Sequence, residues 1–215
     1  MKKLCFGLIV LIFGNAIFAF ENWVVNYDIG LSIPVFNISF DATDEIDVDA
    51  KGNGVDFVFI EQLIHKNSGF LFEVGLGIGG LKVEDFYEGE SQWGFNFDGH
   101  LGLGYALKHD KQAIITLAAL FGSDWSIISK DVDVYYYTVN VQANTIVFYI
   151  GADIKATIPL SEKVGIFGAC LFGVPVAGLE TMKASYNSVS KSQSYDVNAG
   201  GYFIQPSFGI SITVD

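Results

Sequence analysis

Apolar residues occupy every second position in a series of short stretches between residues 20 and 215. The clearest stretch sets Val25, Tyr27, Ile29, Leu31 and Ile33 against small polar residues at the positions between them. Because successive side chains of a β-strand point to opposite faces, this pattern predicts strands with one apolar face. The opposite face is rich in Gly, Ala, Asn, Asp, Ser and Thr rather than in Lys and Glu. Such a face is typical of the lumen of a narrow barrel whose outer surface contacts lipid.

Eight such strands are predicted, at residues 23–33, 55–64, 70–79, 93–105, 113–121, 146–158, 164–176 and 202–214. The first strand could continue to Phe40, and strand 164–176 has no clean apolar face. The connections alternate between long (41–53, 81–92, 122–144 and 178–198) and short (65–69, 108–111 and 161–163). Up-and-down outer-membrane barrels show this alternation, with long outer loops and short periplasmic turns. The predicted fold class is therefore all-β: an eight-stranded antiparallel up-and-down transmembrane β-barrel.

A soluble alternative would place the apolar face inside and a charged face outside, as in a lipocalin-like barrel or a sandwich. The alternating glycines Gly75, Gly77, Gly79, Gly102 and Gly104 would make a poor solvent face, because glycine weakens strands. They make a good lining where neighbouring strands curve tightly. Aromatic residues also gather near both predicted strand ends, as they do at the two interfaces of a membrane barrel. The membrane barrel is the preferred interpretation.

The first 19 residues resemble a secretory signal peptide, with Lys2 and Lys3 before an apolar core and small residues near Ala19. Residues 20–215 then form one outer-membrane barrel domain, with Cys170 as the single remaining cysteine and no intrachain disulfide. The whole chain has a formal net charge of −12, and its basic residues are all Lys. That charge disfavours nucleic acid as a partner. No run of 18 apolar residues follows residue 20, so membrane helices are not predicted.

These features together resemble the small outer-membrane barrels of the OmpX/OmpW type. The shared features are the signal peptide, the eight-strand meander and the closing strand 202–214. The use of Lys without Arg and the acidic connections are most similar to treponemal (spirochaete) outer-membrane proteins of this size. The resemblance covers the whole mature chain and implies an integral protein of the cell outer membrane.

Six ionisable residues fall on the predicted inner face, and an eight-stranded barrel has an interior just filled by side chains. The favoured interpretation is a buried polar network in which Lys155 and His100 neutralise some of the carboxylates. The alternative is a narrow cation path or a small-ligand site. The candidate ligand-binding residues are Asp28, Glu73, Asp98, His100, Asp153 and Lys155.

Catalysis, metal binding and cofactor binding are not predicted. His65 and His109 lie in the predicted periplasmic turns, whereas a lipid-modifying barrel enzyme would need a His beside a Ser at the outer rim. Residues 47–52 resemble a calcium loop faintly, but Lys51 stands at a ligand position and Val58 stands where the bidentate Glu belongs. The alternating glycines at 75–79 lack the spacing of a nucleotide-binding turn. The chain is therefore expected to be no enzyme, with no metal and no cofactor.

The expected function is that of a small integral outer-membrane protein with acidic surface loops and a structural or adhesin-like, surface-interaction role. Its expected partners are outer-membrane lipid and host or extracellular proteins that bind the acidic loops, and it is expected to be a monomer. One alternative is a narrow channel for small apolar compounds or ions. A weaker alternative is a secreted soluble β-barrel that binds a small ligand.

The charge pattern predicts the orientation of the barrel, because the long connections are acidic and the short turns are weakly basic. Epitope tags inserted in segments 41–53 and 178–198 should be accessible to antibody on intact cells, and a tag at His109 should be protected. The reverse labelling pattern would contradict this topology. Binding of a protein partner to the acidic loops should weaken as salt rises.

Overall fold

Strands make up nearly all of the chain that the structure describes. The computed structural model describes residues 22–43, 46–87, 90–109, 113–187 and 189–214. Within these ranges the strands are β1 (Trp23–Ser32), β2 (Val35–Thr43), β3 (Ile46–His65), β4 (Phe70–Tyr87), β5 (Glu90–His109), β6 (Ile114–Val134), β7 (Tyr137–Pro159), β8 (Val164–Tyr186) and β9 (Val189–Val214). No helix among these residues is long and apolar enough to cross a membrane. The predicted signal peptide lies outside the described residues.

The strands form one closed antiparallel barrel. Each strand from β3 to β8 pairs with the next strand along the chain. Both β1 and β2 lie between β3 and β9, so together they form the eighth wall strand and close the barrel. Pro34 separates them because proline has no N–H to donate to a ladder. The Pro34 carbonyl still accepts a hydrogen bond from Gly54 N–H at 2.9 Å. The prediction of an eight-stranded up-and-down barrel is confirmed.

The two ends of the barrel differ in their connections. We call the end with the short turns at 66–69 and 160–163 the turn end. Trp23 pairs with His65 and Val214 pairs with Val25, so both described chain termini lie there, as an even number of strands requires. We call the opposite end, with the hairpin turn at Tyr135–Tyr136, the loop end.

The turn-end half of the barrel has an apolar exterior. On β7 the residues Phe148, Ile150, Ile154 and Ile158 are exposed, while the polar residues between them are buried. The sets predicted to face outward on β1, β4, β5 and β9 do so as well, with Val25 as a buried exception. A soluble β-protein would bury these side chains, so the soluble alternative is wrong.

The loop-end half of the barrel reverses this pattern. From Thr138 to Asn144 the outward residues of β7 are Thr, Asn, Gln and Asn, and the inward residues are Val139, Val141 and Ala143. On β6 the reversal begins at Ile128, which points inward, and Ser129, which points outward. The interior of this half is therefore apolar and its exterior is polar, as in a soluble barrel. The same eight strands thus pass from lipid to water.

This reversal corrects the predicted long loops. The segments 81–92, 122–144 and 178–198 consist mostly of strand, because β4 to β9 extend far beyond the predicted boundaries. Residues 46–53 likewise belong to β3, and the acidic side chains of 40–49 lie outside the described residues. The expected hairpin within 122–144 is confirmed, with a tight turn in which Tyr135 has φ 54°. The alternation in these segments was missed because their inner and outer faces exchange polarity.

Strand β8 lacks a clean apolar face because its lumen face is itself apolar. Phe167 is buried there and packs with Val58 and Ile60 of β3. The register between β7 and β8 also shifts beside Phe148 and Tyr149, where β8 carries an extra residue. The lumen is therefore less uniformly polar than the sequence pattern predicted.

Several lumen glycines make room for a side chain of the neighbouring strand. A Cβ atom at Gly75 would overlap the His100 ring, and a Cβ at Gly77 would overlap the Asp98 carboxylate. A Cβ at Gly122 would overlap the Tyr149 hydroxyl. Glycines on the inner face thus leave the space that the side chains of His100, Asp98 and Tyr149 occupy.

Gly75→Ala should destabilise the barrel by about 1–3 kcal/mol, since an added methyl group overpacks the site and pushes the His100 ring aside. Gly168→Ala on the outer face is the matched control, because no atom lies within 4 Å of its Cβ position. The free energy of unfolding in urea, measured in lipid vesicles, gives the comparison. Equal stability of the two variants would contradict the packing role of Gly75.

Candidate functional site

The turn-end half of the lumen is closed by paired polar side chains. Lys155 Nζ donates to the Asp28 carboxylate, and both side chains are fully buried. His100 Nε2 lies 3.3 Å from Glu73 Oε1. Lys155 and His100 thus each face a carboxylate, which is the geometry that the sequence analysis expected of them.

Amide and hydroxyl groups complete this network. Gln62 Nε2 donates to Glu73 Oε2 at 2.5 Å and to Thr116 Oγ1 at 3.2 Å. Beside it, Leu71 and Leu120 belong to an apolar cluster that fills the remaining space. Buried charges need such partners, so these groups form a plug that is held by ion pairs and hydrogen bonds.

A second polar layer lies above this plug, near the level at which the wall changes polarity. Asn96 Nδ2 donates to Asp56 Oδ2 at 3.3 Å. Gln205 Nε2 donates to Ser32 Oγ at 3.1 Å and to Asp98 Oδ2 at 3.4 Å. Asp124 is half-buried at the same level, since it pairs with Asp98 in the register of β5 and β6. We call this layer the acidic floor; its members are Asp56, Asn96, Asp98, Asp124, Tyr149 and Gln205.

The carboxyl groups of the acidic floor form no ion pair with the described cationic side chains. Among the described residues, no Lys or His forms an ion pair with Asp56, Asp98 or Asp124. Asp153, in the layer below, is likewise without such a pair, because Lys155 and His100 bond to Asp28 and Glu73. Several polar atoms of the floor, including Asn96 Oδ1 and Tyr149 Oη, are buried without any hydrogen-bond partner in the structure. The lumen therefore has more carboxyl groups than cationic partners for them, and it has hydrogen-bonding atoms without partners.

A cavity of about 280 Å³ lies above the acidic floor and is partly open. Its walls are the inward apolar side chains of the loop-end half, among them Phe36, Ile38, Ile128, Ala143 and Val147. Asn96, Asp98, Asp124, Tyr149 and Gln205 form its base. We call this cavity with its walls and base the cup. It lies at the small end of the range for ligand pockets, which combine apolar walls with a few polar groups in the same way.

The acidic floor separates the cup from the plug. Asp98 and Gln205 line the cup and also line a smaller void of about 20 Å³ below it, beside His100 and Asp153. That void has room for little more than one water molecule. The expected filling of an eight-stranded lumen thus holds for the turn-end half, whereas the loop-end half encloses a cavity.

The candidate ligand-binding residues all lie in the lumen, but at different levels. Asp28, Glu73 and Lys155 belong to the plug, His100 and Asp153 border the small void, and Asp98 alone contacts the cup. The sequence analysis missed the other residues of the cup base: Asn96, Asp124, Tyr149 and Gln205. Asp124 was missed because it fell in a predicted loop. The alternation of Val139, Val141 and Ala143 with polar residues could have revealed the cup wall.

Metal coordination has no support from this arrangement. Among the described residues, no group of three or more His, Cys, Asp or Glu side chains is placed to hold a metal ion.

Cys170 is a free, half-buried thiol in β8.

Solved structures with a similar fold include bacterial surface and outer-membrane proteins. The fold is similar to that of Neisserial surface protein A (NspA), with a TM-score of 0.50 and 10% identity over 88% of this chain and 96% of that chain. It is also similar to a major outer membrane protein from Thermus thermophilus, with a TM-score of 0.50 and 13% identity over 86% and 99% of the two chains. No protein-family model and no curated protein sequence matches this chain.

The fold is that of an outer-membrane β-barrel. The similarity in sequence is low, so these comparisons concern the fold. The exterior gives an independent argument, because an apolar belt surrounds a lumen of buried charged residues and suits lipid rather than water. The protein is therefore a membrane protein of the cell outer membrane.

Lys155→Met should destabilise this outer-membrane barrel by about 3 kcal/mol or more, because it leaves the Asp28 carboxylate buried without a partner. The double variant Lys155→Met, Asp28→Asn should regain most of the loss, since no unpaired charge remains. Lys163→Met in the exposed turn is the matched control. Urea unfolding followed by tryptophan fluorescence measures the parent protein and the three variants. A double variant no more stable than Lys155→Met would show that the ion pair is not what holds the plug.

Proposed function

We propose that this outer-membrane barrel binds a small molecule with an apolar body in its cup. The observation that carries the proposal is the 280 Å³ cavity with apolar walls beyond the lipid-facing belt. An unfilled apolar cavity costs stability, because its wall atoms lose packing contacts. A bound molecule of suitable shape would restore those contacts. Under the predicted topology the cup faces the outside of the cell.

Binding agrees better with the lumen than conduction does. A channel for small apolar compounds or ions would need a path through the plug, where Lys155 and Asp28 are fully buried against each other. Ile64, Leu71 and Leu120 fill the lumen beside them. Passage of a molecule as large as one that fills the cup would require the plug to rearrange. We therefore prefer a binding function to a channel.

A neutral probe such as 1-adamantanol should bind to the purified barrel and lose its binding in the Ala143→Phe variant. Ala143 is 3% exposed and lines the cup, so a phenyl group there would occupy the cavity. Ala152→Phe is the matched control, because Ala152 lies on the same strand but points toward lipid. Chemical-shift changes in micelles measure binding. Equal binding by the two variants would place the probe outside the cup.

A surface-interaction role is the second candidate function, and exposed tyrosines at the loop end favour it. Tyr135 and Tyr136 are 96% and 95% exposed at the tip of the β6–β7 hairpin. Hydrogen bonds from Thr138 to Asp133 at 2.7 Å and from Asn140 to Asp131 at 2.8 Å hold this hairpin in shape. Exposed aromatic residues on a rigid support are typical of binding surfaces. Host or extracellular proteins would be the partners.

The exposed Asp131 and Asp133 of the β6–β7 hairpin fit the expectation of basic partner surfaces. Glu90 accepts a hydrogen bond from Lys130 Nζ at 2.7 Å, which links two hairpins, and this bond lowers the pKa of Glu90. Three further expectations stay predictions of the sequence pattern. They are contact of the apolar belt with outer-membrane lipid, a monomeric state, and the resemblance to OmpX/OmpW-type or treponemal proteins.

The variant Tyr135→Ser, Tyr136→Ser should reduce adhesion of vesicles carrying the barrel to a surface coated with a basic extracellular protein, because it removes the exposed aromatic rings of the hairpin tip. Tyr105→Ser at the lipid-facing turn end is the control, since Tyr105 is exposed far from the tip. Adhesion that is unchanged in the tip variant, or insensitive to salt, would remove the support for this second function.

A further inference from the structure

We infer that the cup is selective for a cation: an ammonium or guanidinium head group binds at the acidic floor, and the apolar body of the same molecule packs against the cup walls. This inference rests on the proposed binding function and adds the chemical class of the ligand. Its basis is the combination of charge, unused hydrogen-bonding atoms and apolar surface in one cavity.

The ionisable side chains that line the cup are acidic. The lining includes four carboxylates, those of Glu84, Asp98, Asp124 and Glu180, and no Lys or His. The two cationic side chains of the lumen lie below the floor, bonded to Glu73 and Asp28. A cation would therefore favour the ionised form of these carboxyl groups and gain attraction that water screens poorly inside a narrow cavity, whereas an anion would find no cationic partner in this lining.

The base of the cup also holds polar atoms that lack partners. Asn96 and Tyr149 are 2% and 1% exposed, and both line the cavity. The side-chain oxygen of each, Asn96 Oδ1 and Tyr149 Oη, has no hydrogen-bond partner in the structure. An amide oxygen can only accept a hydrogen bond, so the complementary ligand group must be a donor. An alkylammonium supplies three N–H donors, enough for the carboxylates of Asp98 and Asp124 and the amide oxygen of Asn96 together.

The walls complete the description of the ligand. Ile38, Ile128 and Val147 are buried apolar residues of the wall, and Phe203 places its ring 4.5 Å from that of Tyr149, centroid to centroid, beside the base. These surfaces match an aliphatic or aromatic body and can add cation–π attraction near the head group. A linear polyamine such as spermidine has no bulky apolar body to contact the walls. The ligand class is therefore a compact amphipathic cation.

Three probes with one body and different head groups test the inference: 1-aminoadamantane, 1-adamantanol and 1-adamantanecarboxylate. Their shared body keeps partition into the micelle and contact with the walls similar, so that the head group is the main variable. Titration calorimetry and chemical-shift changes on the full barrel at neutral pH measure each affinity. The amine should bind about tenfold or more tightly than the alcohol, because hydrogen bonds to charged groups are the stronger ones, and the carboxylate should bind most weakly.

Charge variants of the floor locate the head group. Asp124→Asn should reduce amine affinity about tenfold and leave alcohol affinity within about twofold. Asp98→Asn should act in the same direction, and because Asp124 is half-buried, its variant provides the test should Asp98→Asn fail to fold. Glu162→Gln, in the exposed turn at the opposite end, removes the same charge from the molecule and should change neither affinity.

The outcomes separate this inference from the proposed function. If the alcohol binds in the cup as tightly as the amine, or if Asp124→Asn weakens both equally, cation selectivity is wrong while the binding function stands. If none of the three probes binds, or if Ala143→Phe fails to weaken any of them, both the binding function and the selectivity are overturned. Amine selectivity that Asp124→Asn and Asp98→Asn both leave intact would also overturn the assignment to the acidic floor.

Discussion

The hydrogen-bonded closure of the barrel is the constraint on which the rest of this structure depends. Lipid offers no partner for an exposed N–H or C=O group, so a strand that crosses a membrane must be paired on both sides. Here β9 closes the ring by pairing with β1 and β2, and the ladder continues on both sides of Pro34. Closure with eight wall strands makes the lumen narrow, and this narrowness forces large side chains such as His100 to lie over glycines of the adjacent strand.

The outer surface of the strands also contacts two different solvents, lipid and water, along their length. Near the turn end their outer residues face lipid, and beyond the belt the outer residues face water. Strand β7 shows both conditions, since its outward residues change from isoleucines to Asn and Gln while its inward residues change from Lys155 and Asp153 to Val141 and Ala143. The acidic floor lies near the level of this change. The cup is thus the interior of a soluble-type barrel that stands on a membrane barrel.

The distribution of charge inside the lumen separates a structural layer from a layer open to a ligand. In the plug, Asp28 and Glu73 have cationic partners, and these two pairs are expected to stabilise the folded barrel. In the floor, Asp98 and Asp124 face the cup without such partners. A buried carboxyl group in that condition stays ionised only if a counter-charge reaches it, and otherwise it binds a proton. A bound amphipathic cation would supply that charge, so ligand binding and stability of the floor are expected to be linked.

The sequence by itself determined the fold class, because a period of two in hydrophobicity is a local property that each strand shows alone. It also determined that Asp28, Glu73, Asp98, His100, Asp153 and Lys155 would face the lumen, since inward and outward positions follow from the same alternation. Only the tertiary structure decided which of these residues meet: Lys155 and Asp28 are 127 positions apart in the chain, and strand register brings them together. The true lengths of β4 to β9 also depended on the tertiary structure. Near the loop end, the apolar residues of these strands point inward and the polar residues point outward. This pattern can be interpreted only once the position of the membrane is known. The alternation of Val139, Val141 and Ala143 indicates one part of the cup wall, but the complete cup, whose wall and base come from strands throughout the barrel, could be identified only from the tertiary structure.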